Sequence, residues 1–278
     1  GIRIGLRHPA AAERGERDLK SAWSGLLVAF SLYSAVPVPQ VRWEKRTMRW
    51  ALSFLPLVGV LIGVLEGVWH AFCTRYGAAG LFYAAGAALI PLAVSGGIHL
   101  DGLCDTCDAL CSYGDREKRL AILKDPHVGA FGPLWLTAFL LAETACFAQI
   151  YQTPQFLPVV FVGFAVARTD GGRKIVTIPC AKDTGLAHIF AENSDKKAVD
   201  MTLKLEEAAL EVLLLVWLYC TGNGIFAMHY LVLIGLWYIL HSRLTVHVFG
   251  GITGDLAGFY ISLAELLALV CAAFGGMV

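Results

Sequence analysis

The sequence predicts an all-α, polytopic integral membrane bundle of about seven transmembrane helices, preceded by an N-terminal re-entrant or interfacial helix. Three observations predict it. First, 57% of the 278 residues are hydrophobic and only 16% charged, against roughly 25% charged in soluble domains, and the mean hydropathy is +0.63. Second, seven apolar stretches approach the about 20 residues that a bilayer crossing requires. Third, Lys and Arg are sorted between alternate connections, which the positive-inside rule reads as topology.

The seven stretches are 50–72, 78–98, 130–151, 155–173, 203–221, 225–242 and 256–275. The fourth is the least apolar, because it ends in Arg168-Thr-Asp-Gly-Gly-Arg173. A further stretch, 22–36, is shorter and runs into Pro37-Val-Pro39. The 22 basic residues fall in the N-terminal tail, 42–49, 116–124, 168–204 and at Arg243; Arg75 alone lies outside these groups. If 22–36 does not cross, every group reaches one face, and that face is cytoplasmic. The start also has the outline of a signal peptide; it is read here as a retained basic tail, 1–20, ahead of one catalytic domain, 21–278. A formal net charge of zero gives no reason to expect a nucleic-acid partner. The lipid bilayer is the expected surroundings, and a homo-oligomer is compatible with the sequence.

Chemistry concentrates after the second stretch. In Gly96-Gly-Ile-His-Leu-Asp-Gly-Leu-Cys-Asp-Thr-Cys-Asp108, a helix would turn Asp105 about 40° from Asp101 and Asp108 about 20° the other way. The three carboxylates share a face, and each close pair would repel by about 3 kcal/mol at an effective dielectric of 20. A cation relieves that repulsion, and all-oxygen ligands favour Mg²⁺, which completes its shell with substrate phosphates. A solvated acidic face is the plainer alternative. Asp255, in Thr253-Gly-Asp255, is expected at the same depth as a further ligand, or as a helix N-cap. His99 could serve as ligand, general base or satisfied helix-end histidine. The cations nearest this layer are Lys124 and His127 in Lys124-Asp125-Pro126-His127, with Arg168, Lys182, Arg243 and His247; phosphate needs such partners. Cys104, Cys107 and Cys111 lie about 90–100° around the helix from the carboxylates and are read as packing. Glu66, Glu143 and Glu265 lie within spans, where acids face a partner or a cavity.

These motifs resemble the cobalamin synthase family, the adenosylcobinamide-GDP ribazoletransferases. The Asp run, Ile122-Leu-Lys-Asp-Pro-His-Val-Gly-Ala-Phe-Gly132, and Gly250-Gly-Ile-Thr-Gly-Asp-Leu-Ala-Gly258 with Glu265 carry the likeness, supported by Pro37-Val-Pro39 and Leu55-Pro-Leu-Val-Gly59. It spans nearly the whole chain from Trp23. Departures are Cys104 and Cys107 where small residues are usual, His127 and His247 where Arg is common, and Ser262 where an acid can occur. The resemblance implies a multi-pass enzyme of a bacterial or archaeal cytoplasmic membrane, its active site facing the cytoplasm. It would join adenosylcobinamide-GDP to α-ribazole, or its 5′-phosphate, and release GMP. Mg²⁺ would sit on Asp101, Asp105, Asp108 and Asp255. Lys124, Asp125, His127, Arg168 and Lys182 would contact phosphate, and a carboxylate of the trio or His99 would take the hydroxyl proton. A CDP-alcohol-type lipid phosphotransferase shares this logic but spaces its acids differently. An ion-coupled transporter would place acids at mid-membrane and show a repeat, of which the sequence has no sign.

Overall fold

The computed structural model describes residues 11–39, 48 and 50–275, with the side chains of 11–19 and of Ile225 outside the description. The basic groups at 1–10 and within 40–47, together with Arg49, therefore lie outside the described residues. Among the described residues the chain is all-α, with eleven helices. In chain order they are α1 (Ala11–Tyr33), α2 (Leu55–Tyr76), α3 (Gly80–Ser95), α4 (Ile98–Cys111), α5 (Arg116–Ile122), α6 (Phe131–Ile150), α7 (Leu157–Thr177), α8 (Leu186–Asn193), α9 (Lys196–Cys220), α10 (Gly224–Leu244) and α11 (Gly254–Gly275).

Local chemistry explains the boundaries. Pro occupies the first turns of α2 and α7, where a missing N–H costs nothing. Asp115 and Asp195 cap α5 and α9 by accepting from Lys118 N and Ala198 N, at 3.0 and 3.2 Å. Gly96 and Gly97 both adopt left-handed backbone, φ 64° and 81°, which costs a glycine no steric strain. They end α3 and turn α4 away from it by 95°.

Among the described residues four helical stretches are long and apolar enough to cross a membrane: Leu52–Tyr76, Phe131–Ile150, Phe226–Phe249 and Gly254–Gly275. The bent pair α3–α4 makes a fifth if counted as one broken span. This is fewer than the expected seven. α3, with 16 residues, passes only together with α4, and α7 and α9 carry too many charges. α1 begins at residue 11, so part of the expected tail is helical.

The bundle has an apolar exterior and a largely apolar core in which a few charged groups are buried. Val64, Val68, Leu134, Leu141, Leu213 and Leu236 are among the large apolar side chains that remain exposed, as lipid contact requires. α7 runs through the centre, with Arg168, Thr169, Asp170 and Lys174 at most 1% exposed. These groups are partnered. Arg168 pairs with Glu265 of α11. Tyr260 Oη donates to Asp170 at 2.6 Å. Lys174 Nζ donates to Ser242 Oγ and Tyr238 O, at 2.7 and 3.0 Å. Arg173 bonds to Glu207 and Asp200 of α9. A polar helix is tolerable at membrane depth when other helices satisfy its charges, and α7 meets that condition.

Candidate active site

The site forms where α4 crosses α11. Two glycines permit the approach. A Cβ on Gly102 would stand 2.6 Å from the Asp255 carbonyl oxygen, and one on Gly258 would stand 3.2 Å from the His99 backbone. Below the crossing, Leu103, Cys107, Phe139 and Phe259 pack as an apolar cluster, so Cys107 is a packing residue. The same crossing brings Asp101 and Asp255, more than 150 positions apart in sequence, to the wall of one cavity.

Thr253 decides what Asp255 can do. Its hydroxyl accepts from Leu256 N at 3.2 Å and thereby caps α11. The Asp255 carboxylate is thus not needed as the cap, and it accepts a 3.3 Å bond from the same hydroxyl.

The segment 178–188, whose sequence has no periodicity, forms another part of the wall. Its chain pairs in parallel with Ile252: Ile252 N donates to Pro179 O at 2.8 Å, and Ala181 N to Ile252 O at 2.9 Å. This bridge sets Lys182 beside Asp255. It also places the first turn of α8, including His188, on the cavity wall. Sequence reasoning passed over Thr184, His188 and the Thr253 cap. The turn signal Lys182-Asp-Thr-Gly185 was the available clue.

The cavity measures about 330 Å³ and is lined by His99, Asp101, Lys124, Lys182, His188 and Asp255 among others. Asp105 lies just behind, in the field of Asp101, Asp255 and Asp108, with Lys182 opposing them. Burial holds the Lys182 ammonium below the usual lysine range, Asp255 pulls it back up and Lys124 pushes it down. The cavity therefore has an acidic wall and a cationic one.

Several expected site residues lie elsewhere. Asp108 is only 7% exposed, and its carboxylate accepts from Gly129 N, Phe131 N and Gly132 N at 2.9, 2.9 and 3.0 Å. Three amides occupy most of its lone pairs, so it clasps the start of α6 and does not line the cavity. Arg168 is held by Glu265 and by Phe164 O, inside the bundle and away from the cavity wall. Asp125 accepts from His127 N at 2.9 Å and meets His127 Nδ1 at 2.7 Å. That pair is solvent-exposed, and the backbone bond from His127 holds the Asp125 carboxyl below the usual range. Of the expected residues, His99, Asp101, Lys124, Lys182 and Asp255 are brought together.

Among the described residues no three His, Cys, Asp or Glu side chains form a ready-made metal cage. Two carboxylates on one wall with a third behind them nonetheless fit Mg²⁺. That ion is usually held by one or two carboxylates and shares its shell with substrate phosphates.

The profile of the cobalamin-5-phosphate synthase family (CobS) matches residues 25–273. An adenosylcobinamide-GDP ribazoletransferase of Lachnoclostridium phytofermentans is 34% identical over 252 residues, covering 90% of this chain and 92% of its own. The proteins of that name from Geobacillus kaustophilus and from Geobacillus sp. strain WCH70 are 30% and 29% identical, over 89% of this chain and 94% of theirs. No solved structure matches. The matched span contains every residue that lines the cavity, and the chain belongs to the cobalamin-5-phosphate synthase family of cobalamin-biosynthesis enzymes.

Proposed function

We propose that this chain transfers the corrinoid-phosphate of adenosylcobinamide-GDP to α-ribazole or its 5′-phosphate, in the cavity between α4, α11 and the 178–188 segment. The observation that carries this reading is the meeting of Asp101 and Asp255 with Lys124 and Lys182 on one cavity. A diphosphate substrate needs both walls: anions to share a cation with it, and cations to hold it directly.

In the reaction, a ribose hydroxyl oxygen of α-ribazole bonds to the phosphorus that carries the corrinoid side chain. The bond from that phosphorus to the bridging oxygen breaks, and GMP leaves with the electron pair. Asp101 and Asp255, with Asp105 behind them, would hold Mg²⁺, which would supply neutralisation of the diphosphate charge. Lys124 and Lys182 hold phosphate oxygens through charge-assisted bonds. The hydroxyl proton passes to His99 Nδ1 as general base. A cavity of about 330 Å³ suits the reacting phosphates and ribose, and leaves the corrin ring outside.

The helices carrying charge, α7 and α9, are read as spans too, since α7 is enclosed by its neighbours. With α3 they bring the count to seven. The cavity then opens on the cytoplasmic face, where Arg116, Lys118, Lys124, Lys196 and Lys197 gather.

The test is an assay of the purified full chain in liposomes with adenosylcobinamide-GDP and α-ribazole. GMP release and cobalamin formation are expected only with both substrates and Mg²⁺ present. No product under those conditions, from protein that remains folded, would overturn the reading.

A further inference from the structure

Behind the reaction cavity lies a second, much smaller one, of about 10 Å³, between α3, α4, α6, α7 and α11. Its polar lining is Ser95, His99, Glu143, Arg168, Ser262 and Glu265. His99 lines both cavities and is the one side chain of this inner group that does. Three buried polar atoms here have no hydrogen-bond partner: His99 Nε2, Arg168 Nε and Ser262 Oγ. Burying such a group unpaired costs about 1–3 kcal/mol, so three around one cavity call for a common partner. The volume is that of about one water-sized probe, and a buried water needs 2–4 polar partners. A metal cage is not formed by these residues, and the Arg168 guanidinium would repel a cation.

We infer that this inner cavity binds one water molecule, which joins His99 Nε2 to Ser262 Oγ and the Arg168–Glu265 pair and so holds the imidazole in place for the reaction. The inference rests on the reading of His99 as the base of the reaction cavity. A hydrogen bond from Nε2–H to the water fixes the ring's tautomer and leaves Nδ1 as the unprotonated nitrogen. Arg168 Nε–H donates to the same water. Ser262 Oγ accepts from the water as the third partner, because the two N–H donors fill both of the water's lone pairs. Glu143, on the facing helix, closes the polar wall. Arg168, Glu265 and Ser262 are thus positioning residues: they touch no substrate and act through the ring of His99. Outer partners of this kind typically change activity 10–100-fold when removed. This also explains why an ion pair buried at membrane depth lies next to a residue of the reaction cavity rather than at a remote helix contact.

The experiment uses the full chain and three substitutions. Ser262→Thr and Ser262→Val have nearly equal volume and differ by the hydroxyl. His99→Gln is the reference for the base. Ser262→Thr is expected to keep kcat within about twofold of the native chain. Ser262→Val is expected to lose about tenfold in kcat, with unchanged KM for both substrates and an unchanged Tm. If the added bulk prevents either variant from folding, Ser262→Ala removes the hydroxyl without it, and the same tenfold loss is expected. Equal turnover of the Val and Thr variants, alongside a large loss in His99→Gln, would overturn the inference alone. Unchanged turnover in His99→Gln would overturn the reading of His99 and the inference with it. A high-resolution structure of the native chain without density between His99 Nε2 and Ser262 Oγ would also overturn it.

Discussion

The centre of the bundle and the α4–α11 crossing use the same residue types under opposite rules. Around α7, opposite charges meet: Arg168 with Glu265, Arg173 with Asp170, Asp200 and Glu207. At the crossing, like charges meet: Asp101, Asp105 and Asp255 share one region, and Lys124 and Lys182 gather beside them. The first arrangement pairs its charges within the protein. The second is relieved in part by Lys182, and the rest of the repulsion is relieved only by something that brings charge of its own. Charged residues in the interior of a membrane bundle therefore divide into those that hold the fold and those that hold a ligand, and the sign of their neighbours tells which.

Substitutions sharpen that division. The largest functional effect is expected at the crossing. Asp101→Asn should lower kcat by about a thousandfold, since metal-centred charge stabilisation is worth several kcal/mol, while Tm stays level or rises as repulsion falls. An Asp101→Asn protein with native turnover would erase the distinction. The largest structural effect belongs to the centre. Glu265→Gln leaves Arg168 buried beside a neutral partner and should destabilise the fold by about 3–5 kcal/mol, read from thermal unfolding in detergent. The double variant Arg168→Met with Glu265→Met should recover much of that stability without recovering turnover.

Asp108 sits between the two regions and behaves as a member of the first. Its three amide bonds predict that Asp108→Asn loses about 2 kcal/mol of stability. Turnover should fall only as far as the folded fraction falls, and normal stability with abolished turnover would return Asp108 to the ligand set. A smaller effect is expected at Lys182. Lys182→Met should raise KM for adenosylcobinamide-GDP about tenfold with kcat nearly unchanged, a loss of uniform binding. The ammonium deprotonates below the ordinary lysine range, so in the native chain KM should climb as pH rises toward that range. Lys182→Arg should delay the climb to higher pH. A pH profile shared by native and Arg variant would remove Lys182 from substrate binding.

The sequence made α4 legible because a helical period of 3.6 puts Asp101, Asp105 and Asp108 on one face whatever surrounds them. It did not show that Gly96-Gly97 ends the second stretch, which was expected to continue to residue 98. It could not show how far around that face each carboxylate is claimed. Asp108 is taken by amides 21–24 positions later in the chain, a long-range contact without local signature. Arg168 is the same case. It ends a weak apolar stretch, which suggested an interface position, but its partner Glu265 lies 97 positions away, and burial of α7 depends on α2, α8, α9 and α11 closing round it. The 178–188 segment escaped assignment because one parallel bridge to Ile252, rather than any periodic pattern, shapes it.

The central claim is that Asp101 and Asp255, from two distant helices, hold one divalent cation together with the substrate diphosphate. Mn²⁺ binding to the full chain in the presence of adenosylcobinamide-GDP, followed by electron paramagnetic resonance, measures this directly. The account predicts one tightly held ion per native chain, lost in Asp101→Asn and in Asp255→Asn, with the double variant no weaker than either single one because the two act on the same ion. Native stoichiometry and affinity in either single variant would contradict it.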